Sequence, residues 1–245
     1  MNQIASSGIA LVTGAAGGIG SACCKELHQA GFRIGIHYSS SELAAQKLQS
    51  TLPGSFLIKA DLACDEGIES VYQQLKEVGG IDVLVNNAGM TIDAPLLRAK
   101  LSDFDQIVAL NMRAVWHLTK RVSRLMARKS SGRIINISSV VGSTGNAGQS
   151  IYAMTKAAIN NLTKTSALEL AHYNILVNAI APGFIETPMT ESMQEEEKQK
   201  ILATIPLGRM GKPEDIASMV RFLAIEGNYC TGSIFHLNGG LYGAM

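Results

Sequence analysis

The chain has 245 residues, 47% of them hydrophobic and 17% charged, with 24 glycines. That composition excludes a disordered or fibrous protein and suits a globular one with buried strands and tight turns. A formal charge of +1 gives no basic footprint for nucleic acid, and no apolar run approaches the ~20 residues of a membrane-spanning helix.

Met1 to Ala10 lacks a basic region followed by a long apolar one, so no secretory leader is expected and a cytoplasmic location is. Gly8 to Thr13 is a short apolar run of buried-strand type. Thr13-Gly-Ala-Ala-Gly-Gly-Ile-Gly20 follows, and then a helical stretch through Gln29 closed by Gly31. Strand, glycine turn and helix form the arrangement in which backbone amides and a helix N-terminus receive a pyrophosphate. Glycines also serve ordinary turns, but the flanking strand and helix favour a nucleotide site here. Phe32 to Tyr38 reads as the second strand, ending in Ser39-Ser40-Ser41. An NAD site carries an acidic residue there for the ribose 2'-hydroxyl. Tyr38 and Ser39 offer no carboxylate to repel a 2'-phosphate, which favours NADP(H) over NAD(H). A polar loop capping the next helix, Glu42 to Thr51, is compatible with the same serines.

Ser55 to Asp61 is a third predicted strand, Glu66 to Val78 a third helix, and Ile81 to Gly89 a fourth, fully apolar strand ending in amides and small residues. This alternation implies a parallel sheet covered on both faces, with functional loops at the carboxyl ends of its strands. Asp61, Asn87 and Gly89 fall at those ends. Asn87 either closes a turn or meets the cofactor, and its position favours the cofactor. Ser102 to Lys129 carries one or two long helices with Asn111 midway, where an asparagine makes a local backbone hydrogen bond or a bend. Its functional alternative is to hold a water. Arg121, Arg124 and Arg128, with Lys129 beside them, read as a solvated face or a subunit interface.

Gly132 to Ser139 and Leu176 to Ala181 are the fifth and sixth predicted strands, the latter followed by Pro182-Gly183. Phe184 to Lys212 interrupts the rhythm at a carboxyl end, the natural place for a substrate lid. Pro213 opens a helix through Ala224, and Ile234 to Leu237 supplies a seventh strand. With no repeat or linker, the chain reads as one domain over 1–245. Cys23, Cys24, Cys64 and Cys230 match no zinc spacing and read as buried reduced thiols, and the five histidines form no ligand pair, so no metal is expected. Between Ser138 and Lys156, a tyrosine and a lysine stand at i and i+4, on one face of a helix. A neighbouring ammonium is the simplest way to bring a phenol of pKa ~10 into range for proton transfer.

With Thr13-Gly-x-x-x-Gly-x-Gly20, Asn86-Asn-Ala-Gly89, Ser139, Tyr152-x-x-x-Lys156 and Pro182-Gly183 in this order, the chain resembles the short-chain dehydrogenase/reductase family over essentially its whole length. The resemblance implies an α/β, single-domain, doubly wound Rossmann fold with a seven-stranded parallel sheet and helices on both faces. It implies Tyr152 as the acid that protonates a ketone oxygen, Lys156 as the group that depresses the phenol and holds the nicotinamide ribose, Ser139 at the substrate carbonyl and Asn111 at a relay water. It places Gly14, Ala15, Ala16, Gly17, Gly18, Ile19 and Gly20 around the pyrophosphate and adenosine ribose, Asp61 and Leu62 at the adenine, and Asn87, Ala88 and Gly89 along the ribose. Ile185 with Thr187 falls at the carboxamide, with Pro182 and Gly183 also in the cofactor site, and Ser39 is the candidate donor to a 2'-phosphate.

Within the family, the runs Ser139 to Gln149, Pro182 to Thr187 and Asn238 to Tyr242 are similar to those of the NADPH-dependent reductases of 3-oxoacyl chains carried on acyl carrier protein, in fatty-acid synthesis. Relatives of this kind are mostly homotetramers, so a homotetramer is expected. Three positions depart from that pattern. Gly17 stands where many NADP-using relatives carry Arg or Lys, Ile92 where an arginine is common, and Tyr173 where an arginine facing the acidic carrier is frequent. A coenzyme A thioester such as acetoacetyl-CoA, or another ketone, is the alternative substrate. A non-enzymatic scaffold would have no need of Asn111, Ser139, Tyr152 and Lys156 together.

Overall fold

The computed structural model describes residues 8–187 and 195–242. Its strands are β1 (Ile9–Val12), β2 (Arg33–Tyr38), β3 (Phe56–Lys59), β4 (Val83–Asn86), β5 (Gly132–Ile137), β6 (Ile175–Pro182) and β7 (Ile234–Leu237). The helices in chain order are α1 (Gly18–Gln29), α2 (Glu42–Ser50), α3 (Asp65–Glu77), α4 (Leu101–Val108), α5 (Ala114–Lys129), the short α6 (Val141–Thr144), α7 (Ser150–Leu170), α8 (Glu195–Thr204) and α9 (Pro213–Ile225).

Every strand pairing is parallel, and the order is β3-β2-β1-β4-β5-β6-β7. The chain winds from β1 outward to β3, returns, and winds the other way from β4 to β7. The reversal lies between β1 and β4, which opens a crevice at the carboxyl ends of those two strands. This is the doubly wound Rossmann-type sheet expected from the βα rhythm.

Side chains alternate across a strand, so parity decides which layer each one enters. Ala10 and Val12, Ile34 and Ile36, Val83 and Val85, and Ile135 and Ile137 pack with Leu27 of α1, Leu48 of α2 and Val220 of α9. Leu11, Leu84, Ile134 and Val177 face the other way and pack with Val71 of α3, Val122 of α5 and Ala167 of α7. Both faces are therefore dry, which is why the strands read as continuous apolar runs. Between β4 and β5 the core carries polar side chains. Asn86 and Asn136 are register partners, and the Asn86 amide donates to Asn136 Oδ1 at 2.8 Å and to Thr119 Oγ1 at 3.2 Å. Asn136 donates in turn to Thr163 Oγ1 at 2.9 Å. This buried chain fixes α5 and α7 against the carboxyl ends of β4 and β5, next to the crevice.

Several expectations shift. The helical region expected from Ser102 starts at Leu101 and is continuous to Lys129, but between α4 and α5 it widens into a π turn, Ala109–Arg113, with Asn111 at its centre. The basic stripe is not simply solvated. Arg121 binds Glu69 of α3 at 2.6 Å and lies over the Tyr72 ring at 4.0 Å, while Lys129 pairs with Asp82 at 3.3 Å. Cys23 and Cys24 are buried as expected, whereas Cys64 and Cys230 are only half-buried, because they flank loops rather than line the core. Of the region expected to form a lid, Phe184 to Thr187 and Glu195 to Lys212 fall within the described residues and 188–194 lie outside them. Among the described residues no helix is long and apolar enough to cross a membrane.

Candidate active site

The crevice begins at the turn after β1. Gly14 has a φ of +61°, and a Cβ there would lie 3.0 Å from Ala88 Cα. At Gly20 a Cβ would stand 2.4 Å from the Gly14 carbonyl oxygen. The turn and the loop after β4 thus approach each other more closely than side chains permit. The first turn of α1 contains no acidic residue, and its leading amides have no intrahelical partner. Amides converging on a space that a side chain would fill suit an anionic phosphate. Gly17 to Gly20 provide that helix start, with Ala16 before it, and Gly17 itself is exposed. A nicotinamide dinucleotide therefore fits this cradle.

Two side chains not singled out by sequence hold the turn. Thr13 Oγ1 donates to Val85 O and accepts from the amides of Asn87 at 2.9 Å and Ala88 at 3.0 Å. His37, near the end of β2, is 2% exposed. Its Nδ1 accepts from the Gly14 amide at 3.1 Å and its Nε2 lies 3.1 Å from Ala60 O. A ring whose Nδ1 accepts from an amide carries its proton on Nε2 and is neutral, and burial pushes its pKa down to about 4. The only sequence signal was a histidine in an otherwise apolar strand, whose commoner meaning is a core residue. Asn87 takes part in the same brace, since its Nδ2 donates to Thr13 O at 2.9 Å and Gly14 O at 3.1 Å. Of the two readings of that residue, closing the turn accounts for its amide nitrogen.

Ser39 is exposed beyond β2, and Ser41, at the cap of α2, makes no side-chain cap bond, so the capping reading of these serines is not realised. Asp61 turns its Oδ1 to the Ala63 amide at 2.9 Å. The Leu62 side chain is 4% exposed and belongs to the core. Past β6, a Cβ on Gly183 would meet Asn238 Cα at 2.8 Å. Ile185 bridges to Gly211 and is 6% exposed, and Thr187 closes the described part of this segment.

The four candidate catalytic residues come together from β5, the π turn and α7. The wider π turn lets Asn111, which is 1% exposed, reach across to the loop after β4. Its Oδ1 accepts from the Met90 amide and its Nδ2 donates to the Met90 carbonyl, both at 2.8 Å. Nδ2 also lies 3.4 Å from Thr155 Oγ1. The hydrogen bonds expected to be local thus run to a residue 21 positions away. The Ser139 hydroxyl faces the Tyr152 phenol and favours its ionised form. Ser138 points elsewhere, with its hydroxyl 2.6 Å from Asn160 Oδ1 and 3.2 Å from Lys156 O. Lys156 is 6% exposed, donates to Ile137 O at 2.8 Å, and stands 5.5 Å from the centre of the Tyr152 ring. A Cβ on Gly89 would lie 3.3 Å from Asn111 Oδ1 and 3.7 Å from Lys156 Nζ, so the loop passes close between them.

One electrostatic expectation is corrected. Burial pushes the Tyr152 phenol above its usual 10, the Ser139 hydroxyl pulls it down, and the Asp93 carboxylate pushes it up further. The net shift is upward, so the nearby Lys156 ammonium does not bring the phenol below its ordinary value. Its ammonium is aimed at Ile137 O beneath the ring, and burial lowers its own pKa to about 8. A half-buried phenol that keeps its proton, beside a hydroxyl and a cation, can protonate an oxygen on which negative charge develops.

A family model described as enoyl-(acyl carrier protein) reductase matches residues 14–242. The chain is 41% identical over 239 residues to the 3-oxoacyl-(acyl-carrier-protein) reductase FabG of Staphylococcus aureus, covering 95% of this chain and 97% of that one. It is 43% identical over 241 residues to the protein of that name from Aquifex aeolicus, covering 96% and 97%. For the one from Vibrio cholerae the identity is 44% over 237 residues, covering 96% and 97%.

Proposed function

Because the chain belongs to the short-chain dehydrogenase/reductase family, we propose that it reduces a 3-oxoacyl thioester on acyl carrier protein to the 3-hydroxyacyl thioester with NADPH, in fatty-acid or related acyl-chain synthesis. The observation that carries this reading is the meeting of a Tyr152 phenol that faces Ser139 with a buried Lys156, in a chain whose full-length relatives bear the 3-oxoacyl reductase name.

In this reaction bound NADPH supplies the hydride. The turn from Gly14 to Gly20 holds its pyrophosphate, and Asp61, Asn87 to Gly89, Pro182, Gly183, Ile185 and Thr187 line the rest of its path. Ser39, at the end of β2 where neither Tyr38 nor Ser39 is acidic, meets the 2'-phosphate. The Ser139 hydroxyl and the Tyr152 phenol both donate to the ketone oxygen, and Tyr152 gives up its proton as that oxygen becomes an alkoxide. The Lys156 charge steadies the phenolate left behind, and Asn111 fixes the loop at Met90 and keeps a water in place for reprotonation. One domain, residues 1–245, does this, with 184–212 as its lid, and it works as a cytoplasmic homotetramer.

The description of the matching family model favours a second reading, reduction of an enoyl double bond, and Tyr173 leaves room for a coenzyme A ester. One experiment separates them. NADPH and NADH consumption is followed with acetoacetyl-carrier protein, acetoacetyl-CoA and crotonyl-carrier protein. The proposal requires fastest turnover with NADPH and acetoacetyl-carrier protein. Turnover of the crotonyl thioester alone, or of neither acetoacetyl thioester, would overturn it. Tyr152→Phe should lower turnover by about 10²-fold or more while NADPH binding stays within about threefold, a change of well under 1 kcal/mol. Retained activity would remove Tyr152 from the acid's role.

A further inference from the structure

The catalytic elements are joined across the mouth of the crevice by a residue with no assigned part. Asp93 lies in the loop after β4, three positions beyond Met90, the residue that Asn111 grips. One of its carboxylate oxygens accepts from Thr91 Oγ1 in the same loop. The other accepts from Gln149 Nε2 at 2.9 Å. Gln149 is the residue that precedes α7, three positions before Tyr152, and its Oε1 accepts from Asn146 at 3.0 Å. A backbone bond runs beside this link, from the Ala94 amide to Gly148 O at 2.8 Å. The loop that carries Asn111's partner and the turn that launches α7 are therefore stapled together, and Asp93 is the only charged side chain in the staple.

We propose that Asp93 is a positioning residue for the reaction, tying the loop after β4 to the start of α7 so that Asn111, Ser139 and Tyr152 keep one geometry, and placing a negative charge beside the Tyr152 phenol. This rests on the reading of Tyr152 as the acid. Asp93 is exposed at the crevice mouth, so the charge acts through solvent and weakens as salt is added. Around Tyr152, Lys156 comes from α7 itself, Ser139 from the end of β5 and Asp93 from the loop after β4. Asn111, from the π turn, is neutral. Asp93 is the one carboxylate in this set.

A carboxylate near a phenol favours its protonated form. Removing the charge makes the phenol ionise at lower pH. In kcat/KM for ketone reduction, the alkaline fall that follows loss of the phenol's proton, distinct from the one that Lys156 sets at about 8, then moves to lower pH, and the rise for alcohol oxidation, which needs the phenolate, moves the same way. Asp93→Asn keeps the shape and an acceptor oxygen and removes the charge, whereas Gln149→Ala breaks the staple and keeps the charge.

Asp93→Asn should move both limbs to lower pH at low salt, less at high salt, with KM nearly unchanged. Gln149→Ala should lower kcat by about tenfold, the worth of a charge-assisted hydrogen bond, and leave the limbs where they are. Asp93→Glu should restore the wild-type limb. An unmoved limb in Asp93→Asn, or full kcat in Gln149→Ala, overturns the proposal. Tyr152 ionisation is also read without turnover, as the tyrosinate absorbance difference between each protein and its Tyr152→Phe form. That titration should show the same downward move in Asp93→Asn, and its absence refutes the role of Asp93 even if the substrate reading fails on its own.

Discussion

His37 ties the stability of the protein to pH through a single buried ring. The ordinary value of 6.5 falls to about 4 because burial disfavours the imidazolium, against a smaller opposing pull from the Ala60 carbonyl. Protonation would put a second N–H where Nδ1 now accepts from Gly14. The sign follows from which state takes up the proton. Between pH 6.5 and 4 the unfolded chain is protonated at this ring and the folded one is not, so stability rises with pH across that window. Its full contribution is present above 6.5 and is lost as pH falls toward 4. The interval from 6.5 to about 4 is worth about 3 kcal/mol. His37→Gln supplies a side chain with one donor and one acceptor that does not titrate. Urea unfolding of both proteins at pH 7, 6, 5 and 4 isolates the ring, since the difference between the two curves cancels the other histidines. The wild type should lose about 3 kcal/mol more than the variant between pH 7 and 4. Parallel curves would mean that the ring is not held neutral by the fold.

Two further tests address the cofactor turn. Gly17 has a φ of −82° and ψ of 170°, is exposed, and a Cβ there would meet only the Gly14 carbonyl oxygen at 3.5 Å. Gly17→Arg should therefore fold normally and raise the preference for NADPH over NADH by about tenfold, one charge-assisted hydrogen bond to the 2'-phosphate; an unchanged ratio of kcat/KM values would place that phosphate elsewhere. Gly20→Ala drives a Cβ to 2.4 Å from the Gly14 oxygen and 2.8 Å from Asn87 Nδ2, so the turn must move, and NADPH affinity by fluorescence titration should fall by about tenfold or more. Wild-type affinity in that variant would show that the pyrophosphate does not depend on this turn.

The sheet was legible because its signal is redundant. Each strand is an apolar run, each is followed by a helical pattern, and a glycine turn marks where the first of them ends, so boundary errors of one or two residues changed nothing. The candidate site was legible for a different reason, namely that Tyr152 and Lys156 lie on one helix, where spacing alone gives proximity. What could not be read depends on contacts between segments far apart in the chain. Nothing local says that His37 accepts from Gly14, 23 positions away, or that Arg121 of the supposed surface stripe meets Glu69, 52 positions away. The π turn was invisible as well, because the residues of Ala109–Arg113 are compatible with an ordinary helix. Only the reach of Asn111 to Met90 explains the wider turn, and it belongs to the tertiary structure.

The expected effect of Lys156 on Tyr152 failed for a related reason, and the failure bears on the direction of the chemistry. Spacing at i and i+4 gives proximity of side chains but not the aim of their polar ends. Here the ammonium lies toward the ring and donates to Ile137 O, while the hydroxyl turns to Ser139. Burial raises the phenol and lowers the ammonium, so the same dry pocket disfavours both charges. At neutral pH the phenol keeps its proton, and with a pKa of about 8 the lysine still carries its own most of the time. In the proposed reduction this is the useful starting state, a donor that holds its proton until the ketone oxygen gains charge, beside a cation that is already present when the phenolate forms. A phenol depressed to neutrality before substrate arrived would instead meet the ketone half ionised, with fewer protons to give.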